Sequence, residues 1–111
     1  MVQYSGQLDS AFSALSDPTR RGVLERLGRG DASITDLAQR FDMTLTGMKK
    51  HVRTLEAAKL VTTEKQGRVR VVRLGPQRLD QAAAWIEKYR AMLEGRLDRL
   101  GAFLERGTVT P

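Results

Sequence analysis

A chain of 111 residues, 41% hydrophobic and 5% aromatic, suits one domain with an aliphatic core, and its lack of cysteine excludes disulfides, thiolate metal sites and thiol redox chemistry. No apolar run approaches the roughly 18 residues of a membrane-spanning helix. Residues 1–6 have neither the basic region nor the apolar stretch of a secretory signal, so the expected compartment is the cytoplasm, with no membrane partner. The net charge of +6 is concentrated: Thr44 to Arg78 carries nine basic and two acidic residues, a local +7, while the segments before and after it are −1 and 0. Charge gathered in one stretch points to a polyanion.

The helical spacing of Leu8, Ala11, Phe12 and Leu15 marks a short first helix. Asp17-Pro18 supplies an N-cap and a first-turn proline for a second. Val23, Leu24 and Leu27 form its apolar stripe, and Gly28 to Gly30 ends it. Ser33 with Asp36 is close to a capping box and opens a third helix, with Ile34, Leu37, Ala38 and Phe41 on one face. Asp42-Met43-Thr44 reads as a tight connection in which Thr44 caps a fourth helix, from about Leu45 to Ala58. That helix has an apolar stripe of Leu45, Met48, Val52 and Leu55. Its opposing stripe of Thr46, Lys49, Lys50 and Arg53 is polar and cationic. Gly47, near its start, leaves room for another backbone to come close.

Two short helices joined by a three- or four-residue turn, the second one cationic, is the sequence form of a helix-turn-helix. A major groove about 12 Å wide admits one helix, whose first turns meet base edges. A solvated charged face would give the same stripe, and the hairpin that follows weighs against it.

From Val61 the period is two. Val61 to Lys65 and Arg68 to Leu74 are β-branched and joined through Gln66-Gly67, a hairpin signal. Arg68 and Arg70 share a face with Val72 and Leu74, and Val69 and Val71 share the other with Arg73, so the pattern leaves the inward face open. A basic hairpin directly after a recognition helix is a wing, with Lys65, Gln66, Arg68 and Arg70 as its candidate DNA contacts. An edge hairpin whose arginines only discourage aggregation has the same pattern.

Gly75-Pro76 then punctuates the chain. A last helix is expected from about Leu79 to Arg106. Leu79, Ala83, Ile86, Arg90, Leu93, Leu97, Leu100 and Leu104 form its heptad seam, broken at Arg90 and widened by Trp85 and Tyr89. At roughly 42 Å it outreaches a domain whose radius of gyration is near 13 Å, so a second copy is expected to cover the seam. Two helices folded back on one monomer are the alternative, with Gly95 and Gly101 as candidate breaks. The expected architecture is mainly α with a small β-hairpin. It is a winged helix-turn-helix with a long C-terminal dimerisation helix, a single domain over 1–111 with that helix at about 79–106.

These motifs together resemble the ArsR family of winged helix-turn-helix repressors, in a branch that does not sense metals. ALSDPTRRGVLERL, from Ala14 to Leu27, is similar to the family's second-helix signature. Residues Ile34 to Val61 resemble its helix-turn-helix, including the Lys50-His51 pair. Gly67 to Leu74 resembles its wing, and Trp85 to Glu105 the terminal helix of one branch. The resemblance implies a homodimeric repressor on double-stranded operator DNA of roughly palindromic sequence. Its recognition positions would be Leu45, Thr46, Lys49, Lys50 and His51, beside Gly47 and Arg53 of the same helix. It implies a dimer interface from the first and last helices: Leu8 and Phe12, with Ile86, Tyr89, Leu93, Leu97, Leu100 and Leu104. The family often has small polar residues where Leu45, Thr46, Gly47 and Lys49 stand, which points to a different operator.

Family metal sensors use cysteines in the third helix, or a carboxylate and histidines in the last. This chain has no cysteine, and no histidine follows Asp80. His51, its only histidine, is expected to touch phosphate or pack rather than bind metal. No metal and no cofactor are expected. A small-molecule effector of unspecified kind is left open, with Trp85 and Tyr89 as pocket-lining candidates or, more simply, interface packing. No enzyme is expected either: one histidine, no cysteine and no phosphate-loop glycine pattern give catalysis poor ground. The alternatives to a specific repressor are sequence-independent DNA binding and a winged-helix module that binds protein.

Overall fold

The computed structural model describes residues 6–75 and 79–109, the last four by backbone alone. The expected Pro76 break and the charge of Arg78 lie outside the described residues. Helices α1 (Gly6–Leu15), α2 (Pro18–Leu27), α3 (Ile34–Arg40) and α4 (Leu45–Ala57) come first, with a two-residue strand β1 (Ala32–Ser33) before α3. Strands β2 (Val61–Gln66) and β3 (Val69–Leu74) follow, then the thirty-residue helix α5 (Asp80–Val109). Internal contacts divide the chain into residues 1–80 and residues 81–111. Among the described residues, no helix is long and apolar enough to cross a membrane.

Caps written into the sequence set the helix starts. The Asp17 carboxylate accepts from the amides of Thr19 at 2.7 Å and Arg20 at 3.2 Å, and Pro18 opens α2. Burial pushes the Asp17 carboxyl up, but the Arg20 and Thr19 amides and the charge of Arg20 outweigh that and hold it below the usual carboxylate range. The Ser33 hydroxyl accepts from the Asp36 amide at 3.0 Å and caps α3. Asp42 ends α3 with φ +51, and the Met43 amide reaches back to the Ala38 carbonyl at 2.8 Å. That is a Schellman-type stop, and it turns the chain in the three residues before α4.

The core of residues 6–80 is aliphatic. Val23 of α2, Leu37 of α3, and Met48 and Leu55 of α4 meet Val61 and Val72 of the sheet, all essentially without solvent contact. The sheet is antiparallel in the order β1-β3-β2, with Ala32 opposite Val72 and Thr63 on its other side. The expected hairpin is thus a three-stranded sheet; two residues of β1 are too few to show a period. Its register answers the question of the inward face. Val61, Thr63 and Lys65 lie on the Val72 side, with Val72 buried at the inner end and Arg70 exposed toward the tip.

The structure departs from the sequence pattern at the hairpin loop and at Leu79. The hairpin loop is Gly67-Arg68, with Gly67 at φ +65 as the first position of a glycine-led two-residue turn requires. Arg68 therefore sits at the tip and not in a strand. Leu79, read as the start of the last helix's seam, precedes α5 with φ +64 and packs against the core of residues 6–80 instead.

Helix α5 is continuous through Gly95 and Gly101, so neither glycine breaks it. Along it the apolar side chains Ile86, Leu93, Leu97, Leu100 and Leu104 are each about half exposed. Trp85 and Tyr89 stack one turn apart, with ring centroids 5.6 Å apart and planes within 3°. Arg90, the break in the seam, is held within the helix by Glu87 at 2.6 and 3.0 Å and by Glu94. The Arg90 hydrogen bond and charge keep the Glu87 carboxyl below its ordinary range.

Candidate nucleic-acid interface

Helix α4 is fixed at both ends by its own sequence. The Thr44 hydroxyl accepts from the Gly47 amide at 3.0 Å. At the other end Lys59 takes φ +63, and the Leu60 amide returns to the Leu55 carbonyl at 3.0 Å. Gly75 closes on that end: its amide donates to the Leu60 carbonyl at 2.8 Å, and a Cβ there would lie 2.7 Å from the Lys59 carbonyl oxygen. Met48, Val52 and Leu55 anchor the inner face, each at most 3% exposed. The outer stripe of Thr46, Lys49, Lys50 and Arg53 is exposed as the spacing predicts.

Leu45 does not follow its apolar partners; it is 43% exposed, at the edge of the outer face. Gly47 has a local role. A Cβ there would come within 3.1 Å of the Thr44 hydroxyl and 3.2 Å of the Met43 methyl, so glycine accommodates the capping turn. His51 is half-buried, with Nδ1 3.2 Å from Nη1 of Arg20. A guanidinium only donates, so Nδ1 accepts and the ring proton sits on Nε2. The same arginine donates to the Ala14 and Ser13 carbonyls at the end of α1, at 2.8 and 3.0 Å. His51 therefore faces α2, roughly 140° round the helix from Thr46 at 100° per residue. Nothing in the spacing of α4 announced Arg20 as its neighbour.

The wing and α4 enclose a groove. Its lining includes Leu45 and Lys49 from α4, with Lys65, Arg68, Val69 and Arg70 from the hairpin. Thr35 at the start of α3 also lines it; neither Thr35 nor Val69 stood out in the sequence, because only the strand register brings Val69 there. The groove continues along α4 past Arg53, Glu56 and Thr63. Arg70 donates to the Thr63 hydroxyl at 2.9 Å, which donates on to Glu56 at 2.9 Å.

Among the described residues, Lys49, Lys50, Arg53, Lys65 and Arg68 have no acid within ion-pair distance. Arg73 differs: it lies 3.4 Å from both Asp31 and Glu64, although its buried Nε makes no hydrogen bond. Gln66, also expected on the wing, ends β2 at the exposed tip. Of the DNA-contact residues read from the sequence, Leu45, Lys49 and Arg53 of α4 and Lys65, Arg68 and Arg70 of the hairpin line this groove, whereas Thr46, Lys50 and Gln66 are exposed outside its lining, His51 turns to α2 and Gly47 serves the cap. Among the described residues, no group of three or more potential ligands gathers to hold a metal ion.

Residues 15–64 match the helix-turn-helix domain family. A solved structure of an ArsR family transcriptional regulator is 42% identical to the chain and superposes with a TM-score of 0.76, covering 85% of this chain and 97% of that one. This chain belongs to the ArsR family. A second solved structure, an ArsR-like transcriptional regulator from Rhodococcus sp. RHA1, is 35% identical with a TM-score of 0.77, over 90% of this chain and 92% of its own. The arsenical resistance operon repressor of Staphylococcus xylosus is 31% identical over 74 residues, 67% of this chain and 71% of the relative. As an ArsR-family member the chain is a DNA-binding transcriptional regulator and not an enzyme. Its fold is the winged helix-turn-helix with a long C-terminal helix, as expected from the sequence.

Proposed function

We propose that this ArsR-family regulator is a homodimeric repressor that places α4 in the major groove and its wing along the backbone of a roughly palindromic operator. The observation that carries the reading is the row of unpaired cations around one groove, Lys49 and Arg53 on α4 with Lys65 and Arg68 on the wing, beside the exposed Lys50 of the same helix. The half-exposed leucines of α5 support the dimer, with Phe12 of α1, 37% exposed, as a second contact. A twofold axis would set two copies of α4 about 34–36 Å apart, one turn of DNA, which is why the operator should be palindromic. Repression is what the similar Staphylococcus xylosus protein is named for. Footprinting across the promoter of the chain's own gene tests the whole reading: two protected half-sites one helical turn apart are expected, and uniform protection would replace a repressor by a sequence-independent binder.

The roles within the surface differ. Lys49→Ala and Lys50→Ala remove groups aimed at base edges, and each is expected to lower operator affinity about 5- to 150-fold and relax the preference over random DNA. Arg68→Ala and Arg70→Ala are expected to weaken all duplexes alike and to lower the salt slope by about one each. Equal losses on operator and random DNA for all four variants would remove α4 from the major groove.

Stoichiometric zinc, cadmium or arsenite is not expected to release the DNA. The chain has no cysteine and one histidine, and that histidine faces Arg20. Release by one equivalent in a band-shift titration would reveal a ligand set built without cysteine or a second histidine and would overturn this expectation.

A further inference from the structure

The part of the groove between the first turns of α4 and the wing is lined by four cations, Lys49, Lys65, Arg68 and Arg70, and by no acid among the described residues, yet its lining also presents Leu45. Leu45 stands one turn ahead of Lys49 on the same strip of helix, where residues four apart are neighbours. Its exposure of 43% contrasts with at most 3% for Met48, Val52 and Leu55 of the same helix. A leucine that only packed the core would be covered as they are. Phosphate offers an apolar side chain nothing. Base edges do: in the major groove the one apolar group is the C5-methyl of thymine.

We propose that Leu45 is a specificity-determining residue that packs on a thymine methyl at the base pair facing the first turn of α4. Each half-site then contains a thymine that the protein reads through its methyl group. This rests on α4 being the helix in the major groove. Burying one methyl group corresponds to about a fourfold change in affinity per half-site.

The test starts from duplexes selected by the full-length protein out of a random library. Each thymine of the selected site is then replaced in turn by deoxyuridine, which removes the methyl group and keeps every hydrogen-bonding atom. One position per half-site is expected to weaken wild-type binding about fourfold, and Leu45→Ala is expected to bind thymine and deoxyuridine at that position equally. Leu45→Gln, of similar length, should be equally insensitive, which separates the contact from any effect of trimming the helix. Wild-type indifference to the methyl group at every position overturns the proposal. So does a Leu45→Ala variant that keeps the same sensitivity, or one that weakens all sequences alike because the leucine meets only sugar. Failure of the α4 reading itself shows elsewhere: Lys49→Ala and Lys50→Ala would then leave the selected preference unchanged, and the leucine proposal falls with it.

Discussion

Affinity for double-stranded DNA is expected to fall about 10³–10⁵-fold between 50 and 200 mM salt, the behaviour of a protein that displaces counterions from roughly 6–10 phosphates. The cations available for that role are those without an acidic partner: Lys49, Lys50, Arg53, Lys65 and Arg68 in each chain. Arg70 joins them, since its hydrogen bond is to the uncharged Thr63. Two chains on one operator supply more cations than the estimate needs, so it holds even where some point away from the backbone. Arg73 is the internal control. Its charge is already met by Asp31 and Glu64, so Arg73→Gln should leave the slope of log affinity against log salt unchanged, while Arg68→Gln should lower it. A fluorescence-anisotropy titration across salt concentrations reads both. A flat salt dependence would mean that the positive surface is not the DNA surface.

What was legible in the sequence was whatever is local. Asp17, Ser33 and Thr44 each cap the helix that follows them, because a short polar side chain can satisfy the amides two or three residues on whatever the rest of the fold does. The two faces of α4 follow from 3.6-residue periodicity alone, and Met48, Val52 and Leu55 are buried where it put them. The illegible features are set by partners distant in sequence. Strand β1 exists because β3 offers it an edge, and its two residues carry no pattern. Val72 was one of several equivalent valines until the register placed it opposite Ala32 and Thr63. The contact between His51 and Arg20 spans 31 positions, and the side chain of Leu45 belongs to the apolar stripe by spacing yet to the groove by position. In the wing, β-alternation gave both faces mixed character. The reason is visible at Arg70: it shares Val72's face but lies far enough toward the tip to leave the core and reach Thr63.

Leu97→Glu is expected to abolish dimerisation and, with it, tight operator binding, although Leu97 is outside the surface assigned to DNA. Helix α5 runs thirty residues, about 45 Å at 1.5 Å per residue. Ile86, Leu93, Leu97, Leu100 and Leu104 recur along it at intervals of seven, four, three and four residues, and Leu97 is 57% exposed in the single chain. Arg90 interrupts the stripe, but Glu87 and Glu94 already pair with it within the helix, so the arginine itself does not bring an unpaired charge to an interface. Covering a leucine contributes about 1.5–3 kcal/mol. A twofold interface loses that contribution twice in the variant, which corresponds to about a 10²–10⁴-fold weaker dimer, before counting the cost of setting two carboxylates against apolar surface. Each separated chain keeps only one half-site's contacts. Because the substitution lies outside residues 6–80, where the core of α1 to α4 and the sheet is built, a circular dichroism melt should still report a folded winged-helix unit. Analytical ultracentrifugation at micromolar concentration should give a wild-type dimer and a Leu97→Glu monomer. A wild-type chain that sediments as a monomer and still holds a single half-site tightly would rule out this assembly.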